Sequence, residues 1–164
     1  MKTLTKILLV SIAIIASSAC SSNSESENET LLRSLTSKSL KALNGSRWTF
    51  ANYSKTPFEK EYENNIELEF EDTMGEELSF FGRSIINRYV GKLKIDQDLG
   101  LIVESQDIAT TLIGSPNQKD RDIEADYYEN LTKANYFVIE NNSLKFYLGD
   151  KNDENVEVMN FNSK

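Results

Sequence analysis

From Asn44 onward, apolar and polar residues alternate with a period of two, as in strands with one buried face. Trp48 and Phe50 alternate with Thr49, and Ile66, Leu68 and Phe70 alternate with Glu67, Glu69 and Glu71. The same pattern predicts strands over Leu78–Phe81, Ser84–Tyr89, Lys92–Asp96, Leu101–Ser105, Ile108–Ile113, Tyr136–Glu140, Leu144–Leu148 and Val156–Phe161. Turn-forming stretches separate them: TMGEE, DQDLG, ENNS and GDKNDEN. Between Pro116 and Asn135 the period changes. Ile123, Tyr127, Tyr128, Leu131 and Ala134 fall at helical spacing, and Asp120, Asp122, Glu124 and Asp126 gather near the start, where acids suit the helix dipole. The expected fold is mainly β: a small antiparallel barrel-like domain over residues 44–164 with one inserted α-helix.

Before residue 44 the pattern is of another kind. Lys2 and Lys6 precede the apolar run Ile7–Ala16. As a helix that run rises only about 15 Å, half of a bilayer core, so residues 1–19 read as a signal peptide rather than a membrane span. Ser17, Ser18 and Ala19 lead to Cys20, the chain's one cysteine. This arrangement resembles the lipobox of bacterial lipoproteins, although Ser17 stands where an aliphatic residue is usual. The resemblance implies thioether lipidation and palmitate at Cys20; ordinary cleavage after Ala19, leaving a free thiol, is the alternative. Ser21 directly after Cys20 resembles the outer-membrane sorting signal, which places the anchored protein on the periplasmic face of the outer membrane. Residues 20–43 then form a lipidated tether, its first part (SSNSESENET) lacking anything to bury, with Leu31, Leu32, Leu35, Leu40 and Leu43 loosely at helical spacing.

Composition narrows the chemistry. The 164 residues contain no histidine, which removes imidazole-based triads, proton relays and nearly every catalytic zinc site. The formal charge is −8; loss of residues 1–19 takes away two lysines and no acids, leaving −10. Such a chain repels nucleic acid and anionic membrane surfaces alike.

The order of the predicted elements resembles the META domain, the family that includes the HslJ-like bacterial lipoproteins. The residues carrying the resemblance are Gly45-Ser46-Arg47-Trp48, Gly82, Asn87-Arg88-Tyr89-Val90-Gly91, Ile108-Ala109-Thr110-Thr111 before Pro116, then Glu124, Leu131, Ala134, Tyr136-Phe137, Asn142 and Leu144. Members commonly carry cysteines where Ile86 and Ser115 stand here, so with Cys20 acylated no internal disulfide is available. The resemblance implies a compact barrel-like fold and a part in envelope integrity or stress tolerance. It implies no catalytic residues and no cofactor.

Candidate chemistry is therefore sparse. Asp96, Asp98, Gly100 and Asp107, and separately Asp150, Asn152 and Glu154, are oxygen-rich, but neither group has the EF-hand pattern, and both read as turns rather than metal sites. Glu67, Glu69 and Glu71 fall on one solvated face. Arg83, Arg88, Lys92 and Lys94 read as surface ion-pair partners. Asn87, Arg88 and Tyr89 are a structural or binding segment, the structural role being a bend bracketed by Gly82 and Gly91. Trp48 and the phenylalanines at 50, 70, 80, 137, 146 and 161 read as core. The function expected is that of a monomeric, non-catalytic envelope lipoprotein with no cofactor, bound to the membrane through Cys20 and contacting an unidentified envelope protein. The alternative is a lipocalin-like carrier holding a small apolar ligand inside the barrel.

Overall fold

A computed structural model describes residues 41–71, 77–96, 101–105, 108–150 and 152–164. The signal peptide, Cys20, the tether to residue 40, most of the TMGEE and DQDLG turns, and Asp98, Gly100 and Asp107 lie outside the described residues. Nine strands follow in order: β1 Arg47–Tyr53, β2 Glu67–Phe70, β3 Glu77–Arg83, β4 Arg88–Asp96, β5 Leu101–Ser105, β6 Ala109–Thr110, then helix α1 Gln118–Thr132, β7 Tyr136–Glu140, β8 Ser143–Tyr147 and β9 Val158–Ser163. All belong to one antiparallel sheet ordered β3-β2-β1-β9-β8-β7-β5-β4-β6. Because β3 also pairs β4, from Glu77↔Lys94 to Arg83↔Arg88, the sheet curls round into a barrel-like wall. β5 joins β7 at Leu101↔Tyr136. The expected mainly-β, barrel-like fold with one inserted helix is the fold observed.

The predicted elements differ from the observed ones in three places. Ser84–Tyr89 and Lys92–Asp96 are not two strands. Residues 84–87 form a bend, and β4 runs through Gly91 without a break. Ile108–Ile113 shortens to the two residues of β6. The core also reaches back to Leu43, fully buried at the end of the stretch assigned to the tether.

Alternation places Leu68, Phe70, Leu78, Phe80, Tyr89, Leu93, Leu144, Phe146, Met159 and Phe161 inward, where they are buried. Glu67 and Glu69 face outward as expected, engaged with Lys164 and Arg47. Phe50 lies at the centre of the core, edge-on to Tyr53, Phe58, Tyr127 and Phe161 at centroid distances of 4.9–5.5 Å. Edge-to-face rings give each other about 0.5–1.5 kcal/mol beyond area burial. The interior of the wall is therefore filled by side chains.

Two glycines make that filling possible. In the β3–β4 register Gly82 faces Tyr89 and Gly91 faces Phe80. A Cβ on Gly82 would overlap the Glu67 carbonyl oxygen and the Tyr89 phenol, and one on Gly91 would overlap the Phe80 ring. Each aromatic ring lies in the space its glycine partner leaves open.

A second tie sits where β9 begins. The Glu157 carboxylate accepts bonds from Ser54 Oγ, Lys55 N, Thr56 N and Thr56 Oγ1 at 2.6–2.9 Å, joining the end of β1 to the start of β9. Burial acts to raise its pKa, but these donors outweigh it and hold the group down to about 2.

Two outcomes follow. Gly82→Ala destabilises the domain by about 3 kcal/mol in denaturant titration, whereas Gly114→Ala, at a position with open space around it, leaves stability unchanged. The folded pKa of Glu157 lies below its unfolded value, so its stabilisation is complete above the usual carboxylate range and is lost as pH falls toward 2. The melting temperature therefore drops across that window, and drops less steeply in Glu157→Gln.

Candidate functional site

The segment Asn87-Arg88-Tyr89 divides its three side chains among three environments. Asn87 is buried, Arg88 is exposed on the outer wall and Tyr89 belongs to the core. They are placed by the bend at residues 84–87, where Ser84 N donates to Asn87 O at 2.8 Å, and by the onset of alternation in β4.

Opposite the bend lies α1. Asn117 caps it, its side chain accepting from Lys119 N, and the helix turns Glu124, Tyr127 and Leu131 toward the barrel. Glu124 is only 7% exposed and has no cationic partner among the described residues. Its Oε1 accepts from Ser84 Oγ, from Ile86 N at 3.1 Å and from Asn87 N at 2.8 Å; its Oε2 accepts from Asn87 Nδ2 at 2.6 Å. Burial pushes the carboxyl pKa up, but the donors from Ser84, Asn87 and Ile86 prevail and hold it below the ordinary range. Tyr128 OH completes Ser84 at 2.9 Å.

Asn87 is the second half of the node. Its Oδ1 accepts from Thr111 Oγ1 and Ile113 N, both at 2.8 Å, and its Nδ2 also reaches Ile113 O at 3.3 Å. Thr111 is fixed further by Arg88, its N donating to Arg88 O and its Oγ1 accepting from Arg88 N. One carboxylate and one amide thus join α1, the β3–β4 bend and the chain after β6.

Tyr89 has its own chain of bonds. Its hydroxyl donates to Glu67 O at 2.7 Å and accepts from Tyr127 OH at 2.8 Å. Burial raises both phenols well above their ordinary pKa, so they are neutral donors rather than acid–base groups.

The remaining candidates separate. Asp150 accepts from Asn152 N at 2.9 Å and shapes a turn. Of the basic cluster, Lys92 pairs with Glu77 at 3.3 Å as expected, but Arg83 and Arg88 have no ion pair among the described residues. They are cross-strand partners, Arg83↔Arg88, so the register sets cation against cation. Outside the wall, Phe81, Val90, Ala109, Thr110 and Thr111, with Arg88, line an apolar groove of about 370 Å³; Phe81 is 39% and Val90 50% exposed. A polar pocket of about 430 Å³ lies nearby, lined by Tyr62, Asn64, Asn65, Arg83, Ser84 and Asp120 among others. The strand and helix patterns missed the convergence of Ser84, Thr111 and Tyr128 on Glu124 and Asn87. Its available signal was Glu124 itself, which lies three, four and seven residues before Tyr127, Tyr128 and Leu131 on one helical stripe.

Glu124→Gln removes the charge that four donors address and turns an amide N–H₂ toward one of them; the expected loss is about 2–3 kcal/mol, read by denaturant titration at neutral pH. Asn87→Ala should lose a similar amount. The Glu124 contribution is present above the unfolded carboxylate pKa and disappears as pH falls through its lower folded value, so Glu124→Gln has the flatter acid limb.

No model of a known protein family matches the chain, and no curated protein matches it. Among solved structures, the chain is similar to one described as "NMR structure of the protein", at 16% identity, over 74% of this chain and 92% of that chain, with a TM-score of 0.50. At that identity the likeness is one of fold.

Proposed function

We propose that the protein is a non-catalytic cell-envelope lipoprotein of META/HslJ-like type, anchored at Cys20 in the outer membrane and acting through surface contacts with another envelope component. The observation that supports this reading most is where the apolar surface lies. Inside, Phe50, Phe80, Tyr127, Phe146 and Phe161 are packed to 0–1% exposure. Outside, Phe81, Val90 and the groove beside them remain open. A carrier of an apolar ligand would be expected to do the reverse, with a lined chamber and a polar exterior, so the packed interior lends the lipocalin-like alternative no support.

Enzymatic turnover is disfavoured on chemical grounds. The most buried carboxylate among the described residues, Glu124, has its oxygens committed to Ser84, Ile86 and Asn87 and its pKa lowered, whereas a general acid or base working near neutrality needs a raised carboxyl pKa and reach to a substrate. The chain has no histidine, and its one cysteine is the proposed acylation site.

The test of the anchor is the mass of the mature N-terminus. A chain beginning at an acylated Cys20, labelled by palmitate and moving from the membrane fraction to the soluble fraction on Cys20→Ser, is the expected result; an unacylated Cys20 overturns it. Native mass spectrometry of the folded domain should give the bare chain mass. A co-purifying small molecule would restore the carrier.

A further inference from the structure

Leu112 is 98% exposed and Ile113 60%. A single exposed leucine needs no explanation, but these two side chains stand on backbone that is fixed. Thr111 N donates to Arg88 O at 3.0 Å, and Ile113 is held through N and O by Asn87, itself held by Glu124. The node that braces the fold thus holds an apolar tip out in solvent.

Among the described residues, cations without carboxylate partners flank the tip. Arg83 and Arg88 face each other across β3 and β4, where like charges repel, and Glu67, the other cross-strand neighbour of Arg83, gives its carboxylate to Lys164 instead. On the other flank Arg121 donates to Ser115 O and Gln118 Oε1. The nearest helix acids are engaged, Asp120 by Tyr62, Ser115 and Asn117, and Asp122 by Gln118.

We propose that the tip at residues 111–114 is a membrane-contact site, in which Leu112 and Ile113 enter the interfacial zone of a phospholipid bilayer and Arg83 and Arg88 meet lipid phosphates. Leu112 projects into open space rather than lining a cavity, so it suits a medium that can be entered. Guanidinium forks bind phosphate bidentately, and basic side chains close to an anionic surface are attracted to it. The nearness of a bilayer rests on the acylation proposed above: a flexible chain of the length that separates Cys20 from Leu43 spans about 25 Å. The chemistry of the tip does not rest on it.

The test uses residues 20–164 with Cys20→Ser. This chain contains every core residue, from Leu43 to Phe161, and carries no anchor, so failed acylation and a failed tip are read separately. With vesicles of phosphatidylethanolamine and phosphatidylglycerol, sedimentation should show binding that falls about tenfold or more in the double variant Leu112→Glu, Ile113→Glu. Melting temperatures should stay at the parent value, because both side chains are exposed. Arg83→Gln with Arg88→Gln should weaken binding and flatten its salt dependence. The emission of Leu112→Trp should move to the blue on adding vesicles. Absence of vesicle binding by the parent chain, binding indifferent to the two glutamates, or a discrete protein adduct from a photo-cross-linker at position 112 in intact cells would each overturn the proposal.

Discussion

A carboxylate buried with no cation beside it among the described residues governs how this domain is put together. Removing Glu124 from water is unfavourable by several kcal/mol unless its lone pairs are answered, and here four donors from one short bend answer them. Because Ile86 N and Asn87 N both point at the same oxygen, the bend must adopt the one shape that aims two successive amides at α1. The helix is thereby fixed over the barrel, Tyr127 reaches Tyr89, and the Asn87 side chain is left with two acceptor positions that it fills with Thr111 and Ile113. Three parts of the chain distant in sequence are set by one charge.

The wall obeys a different rule, that of volume. Aromatic rings from β1, β3, β4, β9 and α1 meet in a space too narrow for all of them unless some inward positions are empty, and Gly82 and Gly91 supply the empty positions next to Tyr89 and Phe80. Bend and wall are linked through this pair of strands. Tyr89 lies over Gly82 on its inward face, while two residues earlier Asn87 is bonded to Glu124. A change that shifts the β3–β4 register by one residue exposes the rings and breaks the node together.

Much of this was legible because a strand half-buried against a core writes its geometry in alternation. Ile66–Phe70 with its glutamates, the helix from Gln118 and the β7–β8 hairpin through Asn141 and Asn142, both at positive φ, follow from periodicity and turn chemistry alone. Gly91 hid the continuity of β4, because an inward glycine carries no hydrophobic mark even where it faces the core. Ile108–Ile113 misled in the opposite sense. Its apolar residues imply burial, yet Asn87 and Arg88 hold Thr111 and Ile113 while Leu112 stands in solvent. Glu124 was legible as a helix acid but not as an acceptor, because its donors lie 37 to 40 residues earlier and two of the four are backbone amides, which every sequence possesses.

The charge pattern follows from the same division of roles. Lys92, Lys119, Lys133 and Lys164 each meet a glutamate, as an acid-rich chain would lead one to expect. Three arginines depart from that: Arg83 and Arg88 face one another, and Arg121 spends its donors on neutral oxygens near the tip. An exposed ion pair contributes about 0–1 kcal/mol, so leaving these guanidiniums without an ion pair among the described residues sacrifices little stability. It creates polarity instead. A molecule acidic overall but cationic at one rim has a directional field: an anionic surface repels its bulk and attracts that rim, which selects an orientation before any apolar contact forms. On the proposed reading the tether supplies proximity, the field supplies orientation and the braced apolar tip supplies contact, while the filled barrel holds the three in fixed relation.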